Sequence, residues 1–148
     1  MPDGNQLTPT TPLQDGETVL HSFRPDRQTY VRDHTWMAAL AMAGGMGILW
    51  LMGNPHVWTG AVGGLAAIAI RAFYVASDEL AARWDLTGKR LLGPQGRAVR
   101  LGEINALRSV GSAVQVITST GDKHLLKYQA DKAGTLARLQ AAMDRAGA

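Results

Sequence analysis

WMAALAMAGGMGILWLM, residues 36–52, the break Gly53-Asn54-Pro55-His56, and VWTGAVGGLAAIAIRAFYV, residues 57–75, together decide how the chain is read. The first run carries no charge, and the second carries only Arg71, near its far end. Each is close to the ~20 apolar residues needed to cross a hydrocarbon core. Residues 36–75 therefore predict a hairpin of two membrane-spanning helices. Two buried core helices in a soluble protein would show the same hydropathy. A chain of 148 residues has room for one modest core, however, and the polar remainder after Val75 is able to build that core by itself.

Composition agrees once it is divided. The whole-chain mean hydropathy of -0.06 and 46% hydrophobic residues conceal an apolar middle between polar ends. The absence of cysteine excludes disulfides and cysteine-based metal or nucleophile chemistry. A net charge of +3 suits an anionic membrane leaflet and is too mild to argue for nucleic acid.

The first span is weak alone. Leu40, Ile48, Leu49 and Leu51 together favour insertion by only about -2 kcal/mol, and Gly44, Gly45 and Gly47 erode that. It is expected to insert as a unit with the second. Ala39, Ala43 and Gly47 fall four apart on one face, and Gly60 and Gly64 form a GxxxG; small residues at this spacing allow helix backbones to approach closely. Such faces serve either to close the hairpin on itself or to dock another membrane subunit.

Orientation follows from the cations. Arg24, Arg27 and Arg32 precede the first span, Arg71, Arg83, Lys89 and Arg90 end or follow the second, and the connecting turn has neither Lys nor Arg. The positive-inside rule puts both termini in the cytoplasm. Arg71 is close enough to the cytoplasmic end to reach the headgroups with its side chain.

Upstream, residues 1–16 hold Pro2, Pro9 and Pro12 among Gly, Asn, Gln and Thr and read as a flexible tail without the basic start and apolar run of a signal peptide. Residues 17–35 form a juxtamembrane segment. Thr18–Phe23 is a candidate strand, Arg24-Pro25-Asp26-Arg27 a turn, and Asp33 or Thr35 a candidate N-cap for a helix beginning near Trp36.

Beyond the membrane, residues 79–146 alternate apolar with polar. Strands are expected at Leu80–Leu86, Lys89–Leu92, Arg97–Leu101, Asn105–Val110, Ala113–Thr120 and Lys123–Tyr128, with Thr87-Gly88, Gly93-Pro94-Gln95-Gly96 and Thr120-Gly121-Asp122 as turns. Val114, Val116 and Thr118 share one face. Asp131 can cap a closing helix whose Leu136, Leu139 and Met143 face the sheet.

Gly16-Glu17-Thr18-Val19-Leu20 with Arg24-Pro25, then two spans, then Trp84–Leu92 and Val99–Ile104, resembles the bacterial PH-domain membrane proteins of the DUF304 type, over about Gly16–Met143. The resemblance implies an α+β membrane protein: a two-helix transmembrane hairpin followed by a cytoplasmic PH-like antiparallel β-barrel or open sheet with a C-terminal α-helix, in the bacterial inner membrane. A full PH barrel has seven strands and the pattern after the membrane supplies six, so the barrel is either incomplete or completed by Thr18–Phe23. One branch of the family is similar to photosynthetic-complex assembly factors.

No catalytic constellation is expected. His21, His34, His56 and His124 lack metal-ligand spacing, and Asp85 and Glu103 stand without a nucleophile or base beside them. No cofactor or metal is implied. Lys89, Arg90, Arg97, Arg100 and Arg108 form a basic stretch, broken by Glu103, that is a candidate anionic-headgroup site. The expectation is a non-catalytic accessory, assembly or scaffold factor for a membrane protein complex or homo-oligomer, with an anionic-lipid-binding module as the alternative.

Overall fold

The computed structural model describes residues 7–147 and divides into two compact units. Tyr30–Ser77 makes one; the residues up to Thr29, together with those from Asp78 onward, make the other.

The helical unit contains most of α1 (Arg27–Leu51) and α2 (Trp58–Ala81). Both helices outrun their apolar stretches. α1 begins nine residues before Trp36 because Asp26, just after Pro25, caps it: its Oδ2 accepts from the Thr29 amide at 2.9 Å and the Thr29 hydroxyl at 2.8 Å. The expected caps are inside the helix instead. Thr35 donates its hydroxyl back to the Val31 carbonyl at 2.8 Å, and Asp33 pairs with Arg32. At the other end Gly53, with φ 71°, closes α1: its N–H reaches the Trp50 carbonyl and the Asn54 N–H reaches that of Leu49, the two-bond pattern of a Schellman cap.

The helices are close-packed antiparallel along a seam of small residues. A Cβ on Gly60 would strike the Gly45 backbone, and one on Gly64 would strike that of Ala41. Toward the open end of the hairpin, the Tyr30 hydroxyl donates to the Ala72 carbonyl at 2.7 Å, and the Tyr30 and His34 rings lie 4.1 Å apart. Gly60 and Gly64 thus sit where the GxxxG spacing predicts. The expected partner face on α1 is different: nothing approaches a Cβ on Gly47, and Ala39 and Ala43 are exposed. Gly45 and Ala41, on nearly the opposite face of the helix, make the contact.

Among the described residues, the β unit contains seven antiparallel strands. β1 (Val19–Phe23), β2 (Trp84–Thr87), β3 (Arg90–Leu92) and β4 (Ala98–Arg100) form one sheet in that order; β5 (Ile104–Val110), β6 (Ala113–Thr118) and β7 (Lys123–Leu126) form the second. β1 pairs with β2 from Val19↔Thr87 to Phe23↔Trp84, so the strand preceding the helices joins the sheet that follows them. The strand expected at Leu80–Leu86 is shortened to Trp84–Thr87, because α2 continues through Ala81. α3 (Lys132–Ala146) is capped as expected by Asp131, whose Oδ1 accepts from the Gly134 amide at 3.0 Å.

One apolar core joins both sheets and α3. Phe23, Trp84, Leu86, Leu91 and Val99 come from the first sheet, Ile104, Val114, Val116 and Leu126 from the second, and Leu139 and Ala142 from the helix. Val114, Val116 and Thr118 are buried together, as their alternation requires. Leu136 and Met143 pack against the edge of this cluster. Each fully buried Leu or Val contributes about 1.5–3 kcal/mol.

The segment expected to be a flexible tail is held from Leu7 onward. The Leu7 carbonyl accepts from the Arg83 amide at 2.9 Å, Thr11 donates to the Gly96 carbonyl, and the Pro12 carbonyl accepts from Arg90 at 3.0 Å. The rest of that expectation, residues 1–6, lies outside the described residues.

Candidate functional site

The five basic residues singled out by the sequence do not line one hollow. Lys89, Arg90 and Arg100 border one shallow surface together with Glu103, Arg97 lines a separate cleft, and Arg108 is exposed on β5 opposite Gln115. Their placement follows from strand geometry. β3 and β4 set Arg90 directly across from Arg100, whereas Arg97 precedes β4 after a turn in which Gln95 (φ 60°) and Gly96 (φ 70°) both adopt left-handed backbone.

Arg90 is committed elsewhere. Its Nε donates to Glu17 Oε2 at 3.0 Å and its Nη2 to Glu17 Oε1 at 2.5 Å, a two-pronged ion pair whose carboxylate is fully buried. Glu17 also accepts from the Thr87 hydroxyl at 2.7 Å and the Gln14 amide at 3.0 Å. The Arg90 bonds outweigh burial and lower the Glu17 pKa from 4.5 to about 2. Arg90 is therefore a structural cation tying the segment before β1 to the β2–β3 turn. Lys89, Arg97, Arg100 and Arg108 remain exposed.

The cleft beside Arg97 holds about 220 Å³. Phe23, Pro25, Trp84, Pro94 and Leu125 give it an apolar lining; Arg97 and Lys127 oppose Asp78 and Glu79 at its rim, and Lys127 reaches Glu79 at 3.3 Å. Trp84 is fixed in place by packing on Gly93, where a Cβ would collide with the indole, and by an edge contact to the His124 ring at 5.8 Å. Burial, aided by Arg97, pushes the His124 pKa below its usual value. Among the described residues, the non-glycine residues with left-handed backbone are Gln95, which lines the cleft, and Tyr128 (φ 56°), which falls in sequence between its lining residues Lys127 and Gln129. The cleft combines an apolar floor with a rim that carries both signs of charge.

The histidines are dispersed on β1, α1, the helical turn and β7, and among the described residues no group of three His, Cys, Asp or Glu side chains could hold a metal ion. The sequence reading missed the cleft because Phe23, Trp84 and Leu125 come from three strands. The signal it did carry was the proline-glycine turn at Gly93–Gly96, which forms one wall. Comparison of the chain with protein-family models, with curated proteins and with solved structures found no match.

Proposed function

We propose that the chain is a two-span membrane protein whose β domain is PH-like, and that it acts as a non-catalytic accessory, assembly or scaffold factor for a membrane protein complex. The observation that carries this reading is α2: it is long and apolar enough to cross a membrane, and none of its apolar stretch is buried. Phe73 is 82% exposed and Leu51, on α1, 79%. Monomeric soluble proteins rarely leave large contiguous apolar surface uncovered, and such surface marks a membrane or protein interface. In a bilayer the same side chains face acyl chains.

The cation distribution supports an orientation with both termini in the cytoplasm of a bacterial inner membrane. Seven strands in sheets of four and three, closed by a C-terminal helix, support the PH-like reading of the β domain and the DUF304-type resemblance. The strip Ala39, Ala43 and Gly47 supports docking of another membrane helix, because the hairpin seam does not use it. Dispersal of the basic residues, and the commitment of Arg90 to Glu17, favour this reading over a headgroup-binding module.

Mild-detergent extraction of the tagged chain from its native membrane, followed by native-size separation and mass spectrometry, tests the proposal. A stoichiometric membrane complex travelling with the chain is the expected result. Migration alone contradicts a stable subunit role.

A further inference from the structure

The four-stranded sheet has an open edge. β1 pairs with β2 on one side, and among the described residues no strand pairs with its other side. Between β1 and α3 lie two adjoining hollows of about 390 and 270 Å³ that share His21 and Arg138, the second also lined by Leu86 of β2. They make one groove along β1, running from Arg24 to Leu20. The irregularity between Val19 and His21 confines the regular edge to His21–Phe23.

The helical wall of the groove is one face of α3: Gly134, Ala137, Arg138, Ala141 and Arg145. Glycine and alanine keep that wall low, so an extended backbone has room to lie beside β1. Arginines supply its long side chains. Arg24, Arg138 and Arg145 are all exposed. The acidic residue lining the groove, Asp131, uses its carboxylate to cap α3. His21, which lines both hollows, has its pKa lowered first by burial and then by the charge of Arg138.

A free strand edge presents N–H and C=O groups to a further strand, and alternate side chains of that strand then meet the flanking wall. We propose that this groove receives an extended acidic segment of a partner protein, added to β1 as a fifth strand with its carboxylates against Arg24, Arg138 and Arg145. The geometry favours a strand over a helix because the groove is only as long as one short strand and runs along β1, whose outer edge no described strand pairs with. Charge complementarity selects an acidic segment. The inference deepens the accessory reading and rests on it for the kind of partner.

The test uses the full chain in detergent micelles and fluorescein-labelled peptides: one alternating Glu with Val, one alternating Lys with Val, and an alternately N-methylated copy of the first. The Glu/Val peptide is expected to bind, the other two to fail, and hydrogen exchange to slow at Leu20–Phe23. Arg138→Glu combined with Arg145→Glu is expected to weaken binding by about tenfold or more, as loss of close charge pairs does, without altering the helical signal. Ala141→Glu, which puts an acid into the wall, gives the same loss by a second route. Equal binding of the methylated and unmethylated peptides would overturn the proposal, since charge alone would then suffice. So would binding to anionic vesicles, abolished by the double variant, in the absence of any peptide binding. Membrane retention of the same variants reports separately on the accessory reading.

Discussion

Gly64→Leu is expected to force the two apolar helices apart, while Gly47→Leu leaves them together. The distinction is geometric. A Cβ at Gly64 meets the Ala41 backbone, which cannot rotate away as a side chain can, whereas a Cβ at Gly47 meets nothing within 4 Å. Overpacking costs about 1–3 kcal/mol in cores, and a backbone obstacle places Gly64→Leu at the upper end, about 3 kcal/mol. Titration of the micellar protein with a denaturing detergent, followed by far-ultraviolet circular dichroism, should give an early transition for Gly64→Leu and a wild-type transition for Gly47→Leu. Gly47→Leu should instead strip away any co-purifying complex, because its strip faces outward. Equal destabilisation by both would place the seam elsewhere.

Glu17→Gln should loosen the β domain more than any exposed charge substitution. It leaves the Arg90 guanidinium, whose side chain is only 12% exposed, without its counter-charge. Breaking one side of a buried pair costs about 3–5 kcal/mol, and Arg90→Ala should cost a similar amount. Combining Glu17→Gln with Arg90→Met should recover part of the loss, since no charge then stays buried alone. The pH dependence has a definite sign. Because folding lowers the Glu17 pKa from 4.5 to about 2, the pair contributes fully above pH 4.5 and its contribution drains away as pH falls toward 2. Urea titrations at pH 6, 4 and 3 should therefore show wild type weakening more steeply than Glu17→Gln. Parallel decline of the two proteins would contradict the assignment.

What the sequence made legible depended on the range over which each signal acts. Alternation is local, so Val114, Val116 and Thr118 could be placed on one buried face, and Asp131 could be read as a cap from its position before an apolar-periodic run. Helix ends were misplaced where hydropathy stood in for backbone preference. The apolar stretch starts at Trp36, but the cap that starts α1 is Asp26, and the more polar stretch Arg27–Thr35 is helical as well. Helix phase was ambiguous for a related reason. Ala39, Ala43 and Gly47 and the pair Ala41 and Gly45 are equally spaced, and only the position of Gly60 and Gly64 on the other helix decides between them. Arg90 looked like a free cation because Glu17 is 73 residues away in the chain. Both the cleft at Trp84 and the groove along β1 combine segments on either side of the helices, beyond the reach of any spacing rule.

In the proposed topology the helical hairpin crosses a bilayer and leaves both ends of the chain on one side. A chain without native cysteine allows this to be measured directly. Single cysteines at exposed Thr10, His56 and Thr120, treated with a membrane-impermeant maleimide in spheroplasts, report the side on which each residue lies. His56→Cys is expected to label in intact spheroplasts, and Thr10→Cys and Thr120→Cys only after the membrane is opened. Labelling of all three from the same side, or recovery of the chain in the soluble fraction, would contradict that topology.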